Sequence, residues 1–300
     1  MPHHHNHEVS NYNRPFAIGV ALNLLFVIIE ASYGFAADSL ALIADAGHNL
    51  SDVITLLLAW GASYLATMRP TQTRTYGLRR ATILASLISA ALLLLALGGI
   101  AWEAIGRLFT PQPVVGKVVM IVAAIGVVIN SLTALLFASG QKHDLNIRSA
   151  YLHMAADAGI SLGVVIAGGA ILLTGWLWLD PLISLFIVLV ILIGAWGLFK
   201  DSINLSIDVV PSNIDITAIK DYLAGLDNVS AIHDLHVWAL STSETALTVH
   251  LVMTNNLIDN AFLKNIQICL HDNYGIEHAT IQVEYNNSDI SCFLDRPECI

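Results

Sequence analysis

Charge is what this sequence lacks most. Only 12% of its 300 residues are Asp, Glu, Lys or Arg, about half the share of an ordinary soluble domain. A soluble single-domain protein is thereby excluded. Cysteine is sparse as well: Cys269, Cys292 and Cys299 cannot make a disulfide framework, and two of them crowd the C-terminal end, which suits a reduced compartment or a metal site. Glycine-rich phosphate loops, basic nucleic-acid stripes and hydrolase-type nucleophile motifs are missing, so neither an enzyme nor a nucleic-acid binder is expected. A basic leader is missing too. The first apolar stretch is long and follows His3, His4, His5 and His7, so it is expected to stay in the membrane. The histidine run, broken by Asn6, reads as native metal-binding sequence in preference to an added tag.

What the chain has instead is long apolar blocks. A span needs about 20 apolar residues to cross a hydrocarbon core roughly 30 Å thick, and blocks at 14–37, 39–66, 81–102, 118–140, 144–174 and 181–199 meet that length. The expectation is a membrane α-helical fold of six transmembrane helices. Short-loop Lys and Arg orient it. Arg14, Arg69, Arg74, Arg79, Arg80, Lys142, Arg148 and Lys200 fall on one side and only Arg107 and Lys117 on the other, which puts both termini in the cytoplasm. Beyond Lys200 the texture alternates. A helix at 214–223, strands at 231–240 and 246–253, a helix at 257–273 and a strand at 279–285 describe a small cytosolic α+β domain of order αββαβ. The domains are thus a His-rich tail at 1–13, a membrane domain at 14–203 and a cytosolic domain with a Cys tail at 204–300. The net charge of -10 fits an acidic cytosolic domain.

Four polar residues intrude where apolar ones are expected. Positions i and i+4 share a helix face, so His48 with Asp52, and His153 with Asp157, each point into one space. Both histidines lie roughly 14 Å from their span ends at about 1.5 Å rise per residue, near the midplane where secondary transporters hold their substrate. Two imidazoles and two carboxylates make an N₂O₂ set suited to tetrahedral Zn²⁺ and poor for Mg²⁺ or Ca²⁺. Asp45 and Asn49 lie beside the set and are expected to bond its ligands or line a water path. A transporter that exports Zn²⁺, with Cd²⁺ or Co²⁺ accepted, is the expected function. The rival is a membrane-embedded zinc sensor without transport.

The stretches DSLALIADAGHNLSD (38–52), YGLRR (76–80), HDLNIRSAYLHMAAD (143–157) and HDLHVW (233–238) resemble the cation diffusion facilitators, specifically their zinc-transporting branch. The resemblance implies a homodimer, a ferredoxin-like cytosolic domain, exchange of Zn²⁺ for H⁺ by alternating access, and His48, Asp52, His153 and Asp157 as the transport site; the short loops and the lack of a targeting extension suit a bacterial inner membrane. It also implies a cytosolic metal site at His233, His250 and Glu284, which Cys292 and Cys299 could complete unless they bind a separate ion. Arg80 matches a position whose basic side chain pairs with an acidic residue near the end of the sixth span, here Asp208; a positive-inside anchor explains Arg80 equally well. The loop metal site of some relatives is expected to be absent, since Arg74 and Leu78 stand where histidines would sit.

Overall fold

A computed structural model describes residues 13–138, 145–254 and 260–285. Six helices come first: α1 (Asn13–Ala36), α2 (Leu40–Ala66), α3 (Ala81–Phe109), α4 (Gly116–Phe137), α5 (Leu145–Thr174) and α6 (Leu179–Ser206). Then follow α7 (Ile216–Ala224), β1 (Val229–Ala239), β2 (Thr245–Met253), α8 (Asn260–Tyr274) and β3 (His278–Tyr285). The expectation of six transmembrane helices is corrected. Among the described residues five helices, α2 to α6, are long and apolar enough to cross a bilayer. The side chains of α1 are described only from Ala21, and Ala21–Ala36 counts as a shorter apolar helix; at about 1.5 Å per residue it falls short of a ~30 Å core.

Mean hydropathy ranks the five spans informatively. It is 2.5, 2.4 and 2.8 for α3, α4 and α6 but only 1.9 for α5 and 1.2 for α2. The two lowest values belong to the helices that carry the His-x-x-x-Asp pairs. Apolar side chains such as Leu95, Trp102 and Leu173 are more than 70% exposed, which a hydrocarbon surround accounts for and water would not.

The chain divides into two compact units, Met1–Leu57 with Ser89–Trp196, and Leu58–Ile88 with Gly197–Ile300. The first has a core rich in small residues, Ala37, Ala41, Ala44, Ala123 and Ala195, among Leu42, Val119, Val164 and Ile187. Small residues suit helices in lipid, where close backbone approach replaces the hydrophobic drive. Gly116 and Gly168 bring α4 and α5 together: a Cβ on Gly168 would lie 2.8 Å from the Met120 backbone nitrogen, and one on Gly116 2.9 Å from the Gly168 carbonyl. Gly126 similarly leaves room on α4 for the Phe26 ring of α1, whose Cζ would stand 2.5 Å from an added Cβ.

Polar contacts fix the end of this unit near residue 38. Buried Asp180, in the first turn of α6, accepts hydrogen bonds from the Ser39 hydroxyl and from Leu40 N at 2.8 Å, supplying partners that the start of α2 lacks. The third helix runs past residue 102 to Phe109, so Arg107 reaches the α1–α2 turn and donates to the Asp38 carbonyl at 2.7 Å and to its carboxylate at 2.8 Å. Asp38 has φ 52.

In the second unit β1 and β2 pair antiparallel across a tight Ser241–Glu244 connection, while β3 runs parallel to β2, so the order is β1-β2-β3. The parallel step follows from the helix α8 between those strands, since a crossover returns the chain in the same direction. Leu235 and Val237, then Leu247, Val249 and Leu251, present one face to Ile219 and Leu223 of α7 and Ile266 and Leu270 of α8. Strand alternation turns the even-numbered side chains of β2 and β3 to the other face. Asp215 caps α7, accepting from Thr217 N and Ala218 N at 3.0 and 3.1 Å.

Candidate metal centre

All four intramembrane residues converge. His48 and Asp52 come from α2, one turn apart, and His153 and Asp157 from α5, with all four ligand atoms within 4.8 Å of one another. Nε2 of His153 lies 3.0 Å from Asp52 Oδ2 and 3.6 Å from Asp157 Oδ2; Nε2 of His48 lies 3.4 Å from Asp157 Oδ1 and 3.8 Å from Asp52 Oδ2. The shortest contact joins the two helices, so the histidine of one pair serves the aspartate of the other. A tetrahedron of ligands about 2.1 Å from a central ion has edges of about 3.4 Å, in the middle of the observed range. Asp157 is 1% exposed, His48 13%, Asp52 32% and His153 42%, so the set is closed around Asp157 and open around His153.

Asp45 and Asn49 are buried beside this group and bond neither histidine nor aspartate of it. Asn49 donates to Glu30 Oε2 at 3.3 Å, and Asp45 Oδ2 accepts from the Ser161 hydroxyl at 3.1 Å. Glu30, fully buried on α1, is the residue that sequence reasoning passed over; its signal was a carboxylate in an otherwise apolar helix. Ser161 gave none, because a serine in a membrane helix is ordinary.

The second unit brings His233, His250 and Glu284 together, again within 4.8 Å. His250 Nδ1 lies 2.8 Å from Glu284 Oε1 and His233 Nε2 3.2 Å from Glu284 Oε2. The strand register sets His233 directly opposite His250. A further carboxylate joins them. Asp234, adopting φ 53 where the β1 register shifts, lies 3.6 Å from His250 Nε2 and 3.0 Å from His236 Nε2. Regular alternation would turn Asp234 away from His233; the bulge re-aims it, which sequence spacing does not foretell. Arg80 Nη2 lies 2.6 Å from Asp208 Oδ1 with both side chains about half exposed. Cys292 and Cys299 lie outside the described residues.

Two family descriptions match this arrangement. Residues 16–205 match the cation efflux transmembrane domain, and residues 211–286 the cation efflux protein cytoplasmic domain. The chain belongs to the cation diffusion facilitator family. Among its relatives is the "Cadmium, cobalt and zinc/H(+)-K(+) antiporter" of Bacillus subtilis (strain 168), 37% identical over 93% of this chain and 91% of that protein. The "Zinc transporter ZitB" of Escherichia coli (strain K12) is 38% identical over 95% and 93%. A solved structure, the metal-bound C-terminal domain of the CzcD transporter from Cuprividus metallidurans, is 32% identical over 24% of this chain and 99% of its own, with a TM-score of 0.22. Members of the cation diffusion facilitator family are transporters, not enzymes, and this chain is a multi-pass membrane transporter with a cytoplasmic α/β domain.

Proposed function

We propose that this facilitator exports Zn²⁺, with Cd²⁺ and Co²⁺ as further cargo, from the cytosol in exchange for H⁺, through a site made of His48, Asp52, His153 and Asp157. The observation that carries the reading is the spacing of the four His–Asp contacts, 3.0 to 3.8 Å, with one ligand atom from each residue within 4.8 Å of the others. Two neutral imidazoles and two carboxylates cancel the charge of a divalent cation, which a low-dielectric midplane demands. The relatives' names support the same cargo.

Proton coupling rests on the same atoms. A nitrogen and a carboxylate oxygen 3.0 Å apart, as in His153 and Asp52, hold a proton between them when no metal is present. Zinc needs that nitrogen lone pair free, so ion and proton compete for one site and loading releases protons. In this reading the protein opens inward, takes Zn²⁺, rocks outward and gives the ion up as protons return. The chain works as a homodimer in the bacterial cytoplasmic membrane, with both termini in the cytosol, as the Lys and Arg distribution supports. Residues 204–300 form its cytosolic metal-binding and dimerisation domain, with zinc at His233, His250 and Glu284 as a regulatory ligand and the Arg80–Asp208 pair steadying the dimer at the membrane surface.

Proteoliposomes carrying a zinc dye on one side and a pH dye on both test the reading. Zinc influx with opposite proton movement is expected, with Cd²⁺ and Co²⁺ competing and Mg²⁺ not. Asp157→Ala is expected to abolish both fluxes while the protein stays folded; zinc flux surviving in Asp157→Ala sinks the site, and zinc flux without proton flux sinks the exchange.

A further inference from the structure

The two aspartates of the membrane group stand in different surroundings. A carboxylate that ligates a metal is itself held by hydrogen bonds, which fix its orientation. Asp52 is 32% exposed, so solvent can serve it, whereas Asp157 is 1% exposed and needs a donor from within. Among the described residues Asp157 Oδ2 bonds none, His153 Nε2 standing 3.6 Å away. The polar side chains beside it are engaged elsewhere, Ser161 with Asp45 and Asn49 with Glu30.

Asn130 on α4 is the complement. It is 0% exposed, and neither its Nδ2 nor its Oδ1 has a partner among the described residues. A membrane amide ordinarily bonds a neighbouring helix, and buried without a partner it is a cost. The register of α4 and α5 says what Asn130 faces. Gly168 of α5 lies against Gly116 and Met120 of α4, and Ser161, two turns earlier on α5, lies against Gly126, its Oγ 3.0 Å from where a Cβ would stand. The helices therefore run antiparallel, and one further turn along each sets Asn130 opposite Asp157. Helix α1 brings a third polar group to this level. Phe26 packs on Gly126, and Asn23, about one turn before Phe26, donates to Met154 Sδ at 3.7 Å and leaves its Oδ1 unpaired among the described residues. Met154 lies about one turn before Asp157 on the buried face of α5.

We propose that Asn130 is a positioning residue for the metal centre, holding the Asp157 carboxylate through one bridging water. This rests on the transport site proposed above. The water accepts from Asn130 Nδ2 and donates to Asp157 Oδ2 and Asn23 Oδ1, three bonds, the usual number for a buried water. Oδ1, the oxygen 3.4 Å from His48 Nε2, is left to face the ion. The bridge adds no charge and moves no proton, so two carboxylates still balance one dication. Its contribution is preorganisation: Asp157 is aimed before the ion arrives, and less side-chain freedom is lost on loading.

The experiment is zinc titration of the purified full chain in detergent against a competing dye, the membrane phase being the one that Asp157→Asn removes. Asn130→Val and Asn130→Thr have the same shape and differ in one hydroxyl. The valine variant is expected to bind Zn²⁺ in that phase about 10–100-fold more weakly, and the threonine variant, which can still bond a water, within a few-fold of the unaltered protein. The visible absorption of Co²⁺ bound in the same phase reports ligand geometry, and its band should change in Asn130→Val and be restored in Asn130→Thr. Unaltered affinity in Asn130→Val overturns the proposal. So does equal weakening in both variants, which makes shape the cause, or a weakened Asn130→Val with an unaltered cobalt band, which leaves Asp157 where it was. A density map of the unaltered protein fine enough to show waters needs no variant: one water within about 3 Å of both Asn130 Nδ2 and Asp157 Oδ2 is expected, and its absence overturns the bridge. Failure of the underlying site looks different, since Asp157→Asn would then remove no binding phase.

Discussion

Asp180 shows how a single carboxylate can be buried without being a ligand. Its oxygens accept from the Ser39 hydroxyl and the Leu40 and Ala41 amides, so the charge is spread over donors that the first turn of α2 would otherwise leave unpaired. Asp180→Ala strands those donors, and a loss of about 1–3 kcal/mol is expected, read as a lower Tm of the detergent-solubilised protein; an unchanged Tm would contradict the assignment. His271, at the C-terminal end of α8, is a surface case. The hydrogen bond to Asp272, then the charge of Glu277, raises its pKa above the ordinary value of 6.5. A raised folded value means that its stabilisation is complete below about 6.5 and fades as pH rises through the folded pKa. NMR titration should find the imidazole above 6.5 and bring it back towards that value in Asp272→Asn/Glu277→Gln; no return would remove the cause given.

At the level of elements, the close approach of α4 and α5 matters to the membrane unit, because α5 carries half of the candidate metal centre. Backbone atoms fill the space a Cβ on Gly168 would need, and backbone cannot turn aside as a side chain can. Gly168→Ala is therefore expected to cost about 1–3 kcal/mol and to weaken zinc binding by shifting His153 and Asp157, while Gly163→Ala, with nothing within 4 Å of its Cβ, should do neither. Equal Tm and zinc affinity in the two variants would disprove the contact. Helices α2 to α6 were legible in the sequence because apolar length alone forces a helix in lipid, whereas the span expected at α1 was not met. Their ends were less so: α3 runs seven residues beyond 102 to Phe109, since Glu103 and Arg107 find polar partners there and the helix need not stop where hydropathy does. The bulge at Asp234 was hidden for a related reason, as a φ of 53 leaves no mark in a period-two pattern.

Across the whole molecule two groups of residues able to hold a metal stand in two compact units, and variants should separate them. His250→Ala is expected to lower zinc bound per chain by about one ion while transport through the membrane centre continues; equilibrium dialysis paired with vesicle flux measures both, and an unchanged stoichiometry would deny the cytosolic centre. The sequence by itself determined that the chain enters a membrane, that an alternating α/β segment follows, and that His48, Asp52, His153 and Asp157 share two helix faces, because hydrophobic length and the 3.6-residue period are local properties. Only the tertiary structure decided that His153 bonds Asp52 across helices, that Asp234 joins the cytosolic histidines, that α1 falls short of a span over its described side chains, and that Glu30 accepts from Asn49. Each of these depends on residues distant in the chain meeting at a particular distance, which packing fixes and periodicity does not.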